Sequence, residues 1–385
     1  MTASNHHPSA LYRVSSTTAQ GRRRLGARGG HPLFTWSSWS LDTVALRVRS
    51  NDTDRVRRRN VSATTTLACV LAVSIYGPTA AAQSPPRLDP ALPSYEATEG
   101  LAGTLTAVGS DTMLVLETLV AEEFHRRHPQ VTIEIEGKGS STAPPALLES
   151  TAQIGNMSRR ITGGEADAFV DRFGYEPVRF EIALDTVGVF VHIENPIEGL
   201  TLQQVDAIFS STLRCGGGQD LLVWGQIGLE GSWARAPISL YGRNAASGTY
   251  AYFRDHGLCR GDYRDTVKEQ PGSASVVQGI ENDRFGIGYS GIGYATAGVR
   301  AVPIAVRSGA EPVTATWENA ANGLYPFARF LEIYVNKSPD RSFDPLVREY
   351  LRFLLSADGQ AVVIRAGFHP LDAATLELQL AKLEE

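Results

Sequence analysis

Three short stretches bring Ser and Thr hydroxyls together with glycine: Gly109-Ser110-Asp111-Thr112, Gly139-Ser140-Ser141-Thr142 and Ser247-Gly248-Thr249, the last preceded by Arg243. Hydroxyls and backbone amides are neutral donors, glycine lets a backbone approach a ligand closely, and a guanidinium can fork onto an oxyanion. The chemistry these residues suit is holding a small, dehydrated, tetrahedral anion rather than making or breaking a bond. Each stretch lies where a strand pattern gives way to a helical one, so that the unpaired amides of a first helical turn face outward and the helix dipole favours negative charge. A single Ser or Thr at a helix start is ordinary capping. Three such starts with glycines and one arginine point to a shared anion site.

The elements that must position these loops alternate along the chain. Residues 103–108 read as a strand, and Met113, Leu116, Val120 and Phe124 recur at helical spacing over 113–125. A strand over 131–136 follows, then a short helix opened by Pro144 and Pro145 through Ser150, a strand over 153–157 and a helix over 164–172. A long apolar, β-rich segment spans 180–193, before a capped helix over 201–209. Beyond it come a strand over 238–241, helices after Ser247 and over 273–282, and a strand over 286–289. A second β-rich segment, 325–336, precedes an amphipathic helix over 345–357. This strand-helix alternation predicts an α/β fold, and the two extended segments bracketing a middle block predict two lobes joined by two crossings with a ligand cleft between them.

Charge is divided unevenly. Residues 1–82 carry 11 Arg and 3 acidic residues, which leaves 25 basic and 38 acidic residues for the remaining 303. An acidic body repels a polyanion and offers no clustered basic face, which argues against nucleic-acid binding. Arg55 and Arg57–Arg59 precede an apolar run, 67–76, and Ala80–Ala82 supply a small-residue cleavage site before Gln83, the pattern of an export signal over 55–82. Cys69 carries a weak hint of a lipoprotein box, set aside because most of the apolar run follows it. Residues 1–54 read either as a disordered extension or as sequence upstream of a true start near Val56. Downstream, Cys215 and Cys259 are the two remaining cysteines, and in an oxidising compartment they predict a disulfide. No metal site is expected, since neither belongs to a CxxC pair and His256 stands alone as a possible ligand neighbour.

Other motifs carry less. Gly286-Ile-Gly-Tyr-Ser-Gly291 matches G-x-G-x-x-G by letter but lies in a strand, not at the strand-to-helix turn a dinucleotide site needs. Ser247 is outside any G-x-S-x-G elbow, and no histidine follows it in an obvious triad role. Trp224 and Trp233 are expected to pack rather than stack on a ligand. The chain is therefore expected not to be an enzyme and to need no cofactor.

The segments GSDTM (109–113), GKGSSTAPPALLES (137–150), MSR (157–159), RNAASGTYAYF (243–253), GSASVVQGIENDRFGIGYSGIGY (272–294) and YPFARFLEIYVNK (325–337) together resemble the periplasmic phosphate-binding proteins of phosphate ABC transporters. The resemblance implies a type II periplasmic binding protein with lobe I over 98–184 and 325–385 and lobe II over 185–324. It implies phosphate held by Ser110, Thr112 and the Met113 backbone, by Ser140, and by Arg243, Ser247, Gly248 and Thr249. The implied partners are inorganic phosphate and an inner-membrane ABC permease, with the receptor a monomer in the periplasm, and extracellular release as a further reading. Many members carry an aspartate where Ser158 stands, and that aspartate can accept a phosphate proton. With a hydroxyl there, a sulfate-like oxyanion is the alternative ligand, and an exported phosphate-sensing or adhesion protein the alternative role. Asp111 is a candidate replacement acceptor, with helix capping as the competing reading, and Arg159 either adds charge to the site or pairs with Glu165.

Overall fold

The computed structural model describes residues 86–384, so the export signal, Cys69 and the leader lie outside the described residues. The first half is built from β1 (Gly103–Gly109), α1 (Leu114–Arg127), β2 (Val131–Glu136), α2 (Ala143–Leu148), β3 (Ile154–Met157) and α3 (Gly163–Phe173). The long β4 (Val178–His192) leads to β5 (Leu200–Thr201) and α4 (Leu202–Phe209), then β6 (Ser239–Arg243), α5 (Gly248–Gly257), β7 (Lys268–Gln270), α6 (Ser273–Glu281) and β8 (Gly286–Gly291). The remainder comprises β9 (Val299–Ala301), β10 (Ile304–Ala305), α7 (Trp317–Ala321), β11 (Ala328–Val335), α8 (Pro345–Leu354), α9 (Ala357–Arg365) and α10 (Ala373–Ala381).

One sheet runs through the described residues in the order β2-β1-β3-β11-β4-β8-β6-β7, with β9 also paired to β4. β1 is parallel to β2 and β3, as a βαβ unit requires, while β11 returns antiparallel to both β3 and β4. β4 changes partner along its length. Its residues 178–186 pair with β11, and Val187–Val191 pair with β8. The apolar 15-residue strand is thus shared by two cores, which explains why it reads as a near-continuous hydrophobic run.

The first core gathers Leu105, Phe124, Ile154, Phe180, Leu331, Tyr350 and Val363, drawn from both ends of the described chain. The second gathers Val189, Ile208, Phe253, Ile287, Tyr289 and Phe327 from the middle. Trp224 and Trp233 pack in this second core with their rings edge to face, as expected. Cys215 and Cys259 are disulfide-bonded with Cα atoms 5.3 Å apart, tying the loop after α4 to the end of α5. The helix expected over 345–357 is α8, ending at Leu354, and a further helix not expected from sequence, α9, follows it. Ser356 accepts a hydrogen bond from Gly359 N at 3.2 Å, and its hydroxyl caps a new start at α9. No helix among the described residues is long and apolar enough to cross a membrane.

Candidate functional site

The three loops singled out by sequence converge between the two cores. Ser110 donates to Ser158 Oγ at 2.9 Å, Ser158 Oγ lies 3.2 Å from Ser140 Oγ, and the Ser158 amide donates to Ser140 Oγ at 3.0 Å. From the other side, Thr249 Oγ1 reaches Thr112 Oγ1 at 2.9 Å, and Thr112 Oγ1 is 3.5 Å from Ser273 Oγ. All six hydroxyl residues are buried. Gly248 is required where α5 meets this cluster. A Cβ there would lie 2.3 Å from Ser140 Oγ and 2.6 Å from Ser158 Oγ, so any side chain would displace the hydroxyls.

The capping expected at each loop divides unequally. Ser247 caps α5, accepting from the amides of Thr249 at 3.1 Å and Tyr250 at 3.3 Å. Ser110 and Gly139 occupy the cap positions of 3-10 turns with no side-chain cap bond, because the first two loops enter their helices through a tight turn, Asp111–Met113 and Ser140–Thr142. The hydroxyls of Ser110 and Ser140 are thereby left to point at Ser158. The same turn geometry engages backbone donors: Ser110 N bonds Asn156 O at 2.8 Å, and Met113 N bonds Ser110 O at 3.2 Å, with the Met113 side chain in the first core.

Arg243 ends β6 with its guanidinium buried. It donates to Ser273 Oγ at 2.8 Å and Pro271 O at 3.0 Å, and its Nη1 is 3.3 Å from Asp111 Oδ2. Its Nε is buried with no hydrogen-bond partner. Burial pushes this guanidinium below its usual range, and the neighbouring Asp111 carboxylate opposes that shift. Asp111 does act as a cap, but not for its own helix. Its Oδ2 accepts from Ser273 N at 2.8 Å, at the start of α6 across the cleft. Tyr294 reinforces the same crossing, donating to Asp111 O at 3.1 Å and Thr112 O at 2.9 Å. Arg159 pairs with Glu165 through two contacts of 2.8 and 2.7 Å, the second of the two readings offered for it.

Two charged residues at the crossing strands belong to the site and were given no role from sequence. Arg329, on β11, donates from Nε and Nη2 to Asp185 Oδ2 at 3.0 and 2.8 Å, from Nη1 to Ser158 O at 2.6 Å, and from Nη2 to Thr249 Oγ1 at 2.8 Å. Asp185, on β4, is fully buried, and its Oδ1 has no partner. That oxygen lies near Gly291 and the Thr112 methyl: a Cβ placed on Gly291 would sit 3.2 Å from Asp185 Oδ1 and 3.7 Å from Thr112 Cγ2. The signal available in the sequence was Asp185 and Arg329 within two largely apolar β-rich segments that also carry Glu181 and Glu332, and charges in such a buried setting require pairing.

This arrangement matches known proteins over most of the described chain. The profile of the PBP superfamily domain matches residues 94–358. The phosphate-binding protein PstS of Pseudomonas aeruginosa is 50% identical over 303 residues, covering 79% of this chain and 94% of that protein. Protein SphX of Synechococcus elongatus is 28% identical over 70% of this chain and 78% of its own length. Among solved structures, one assigned as a phosphate ABC transporter substrate-binding protein from Clostridium perfringens, with phosphate bound, superposes with a TM-score of 0.59 at 26% identity, covering 70% of this chain and 100% of that one. Sequence and fold agree, and the chain belongs to the PstS phosphate-binding proteins of the PBP superfamily.

Proposed function

We propose that this chain captures inorganic phosphate between lobes 98–184 with 325–385 and 185–324, and delivers it as a periplasmic monomer to an inner-membrane ABC permease, without catalysing a reaction. The observation that carries this reading is the convergence of Ser110, Thr112, Ser140, Ser158, Thr249 and Arg243 from both sides on one buried point. Hydroxyls and the Arg243 guanidinium replace the anion's water, and Arg243 Nε, buried without a protein partner, is a donor available to a ligand oxygen. Closure of the lobes is then the signal a permease reads, because an anion touching both lobes favours the closed arrangement.

Asp185 supports phosphate over a sulfate-like anion. A buried carboxylate oxygen without a partner repels a fully ionised tetrahedral anion, whereas monohydrogen phosphate carries a proton that this oxygen can accept. In this reading the acceptor sits on the crossing strand rather than at Ser158 or at Asp111, whose Oδ2 is held by Ser273 N and Arg243. The test is calorimetric titration of anion-stripped protein beginning at Gln83 with phosphate and with sulfate. One-to-one phosphate binding with sulfate inert is expected. Sulfate binding as tightly as phosphate, or no binding of either, would refute it.

A further inference from the structure

Beside the anion site, and sharing Arg329 with it, lies a groove of about 530 Å³ whose walls come from both lobes: residues 159–162 after β3, residues 251–256 of α5, and the crossing strand β11. Two of its arginines, Arg159 and Arg329, are held by Glu165 and Asp185, whereas Arg160 and Arg254 are weakly partnered. Arg160 is 74% exposed at its side chain and approaches only Glu332, at 3.8 Å. The Glu332 carboxylate is already held by Arg179 at 2.7 Å and by the Tyr334 hydroxyl at 2.7 Å. On the opposite wall, Arg254 makes one long contact of 3.4 Å to the exposed Asp255, and its Nε is buried with no partner. His256 stacks on Tyr252 with ring centres 4.1 Å apart and bonds the Tyr252 carbonyl through Nδ1, leaving Nε2 outward.

The apolar part of the lining is Ile161, Ala251, Pro326 and Phe330, each partly exposed, and Arg159, Thr162 and Arg329 complete the wall. In a chain whose body is acidic, two weakly partnered arginines lining one groove beside apolar side chains suit an anion with an organic part. Inorganic phosphate is far smaller than this volume, which is in the range of small-molecule pockets, roughly 300–1,000 Å³. We propose that the groove is a second binding site, for a phosphomonoester, with the phosphoryl group between Arg160 and Arg254 and the organic group against Ile161, Pro326 and Phe330. Because its walls belong to both lobes, the site is complete only when they are together. A ligand there and phosphate in the cleft therefore favour the same arrangement, and each tightens the other.

Phenyl phosphate is the probe. The protein is titrated first with inorganic phosphate, which reports on the cleft by itself, and the phosphate-saturated protein is then titrated with phenyl phosphate. A second one-to-one event is expected. Phenyl phosphate at saturation should tighten inorganic phosphate by about fivefold or more. Arg160→Ser and Arg254→Ser should each weaken phenyl phosphate by about tenfold or more while leaving inorganic phosphate affinity unchanged, the loss expected for a charge-assisted hydrogen bond. Absence of the second event, simple competition with inorganic phosphate, or binding that survives both substitutions would overturn the proposal.

Discussion

Two buried arginines approach the same cluster of hydroxyls and are held in opposite ways. Arg329, at the strand crossing, has all three nitrogens engaged: Nε and Nη2 on Asp185, Nη1 on a backbone carbonyl, and Nη2 also on Thr249. Arg243, at the end of β6, bonds Ser273 and Pro271 and leaves Nε without a partner, with Asp111 at 3.3 Å. A guanidinium with every nitrogen engaged by protein fixes geometry. One with a buried donor to spare is set up to meet something else. The same division separates the hydroxyls, since Ser247 is occupied as a cap whereas Ser110, Ser140 and Ser158 bond only one another and a local amide.

The contrast breaks if the two arginines respond alike to removal. Arg329→Met strands the fully buried Asp185, and unfolding by denaturant should show a loss of about 3–5 kcal/mol, largely recovered when Asp185→Asn is added. Arg243→Met should weaken phosphate about 100-fold or more by calorimetry, since charge-assisted hydrogen bonds contribute roughly 1.5–3 kcal/mol each. Its effect on stability should stay below about 1 kcal/mol, because Asp111 retains contact with solvent and with Ser273 N.

A smaller effect sharpens the hydroxyl side of the comparison. Ser158→Ala should weaken phosphate about tenfold with little change in melting temperature, whereas Ser247→Ala should also cost about 1 kcal/mol of stability through the lost cap. A separate effect lies behind the site, on α1. Burial lifts the Glu117 carboxyl to about 7, against an ordinary value near 4.5, with hydrogen bonds from Tyr350 and Asn156 opposing the shift. A carboxyl whose folded pKa is raised contributes stability below about pH 4.5 that is lost as pH rises through about 7. Thermal melts should therefore fall across that window, and Glu117→Gln should flatten the profile.

How much of this was legible in the sequence follows from the range of the interactions. Local patterns placed α1, α3, α4, α5 and α6 within a few residues, because their periodicity and capping are set by neighbours in sequence, as with the Thr162-Glu165 box that opens α3. The Ser356 break between α8 and α9 went unread, since a serine within an amphipathic run signals a cap only once the chain is seen to turn. The loops with Ser110, Ser140 and Arg243 were visible because glycine and hydroxyls are clustered there. Asp185 and Arg329 were not, since 144 residues separate them and only the antiparallel pairing of β4 with β11 brings them together. Asp111 was ambiguous for the same reason: its capped amide belongs to Ser273, 162 residues away.

The most direct test of the central claim is the ratio of phosphate to sulfate affinity in the native protein and in Asp185→Asn. Both anions see the same fold, so the ratio isolates the carboxylate from any general loosening. The native protein should favour phosphate by at least about 100-fold, and Asp185→Asn should erase most of that preference, as expected when a like-charge repulsion is replaced by an amide donor. An unchanged ratio would contradict the account and return the choice of anion to the hydroxyls and Arg243 alone.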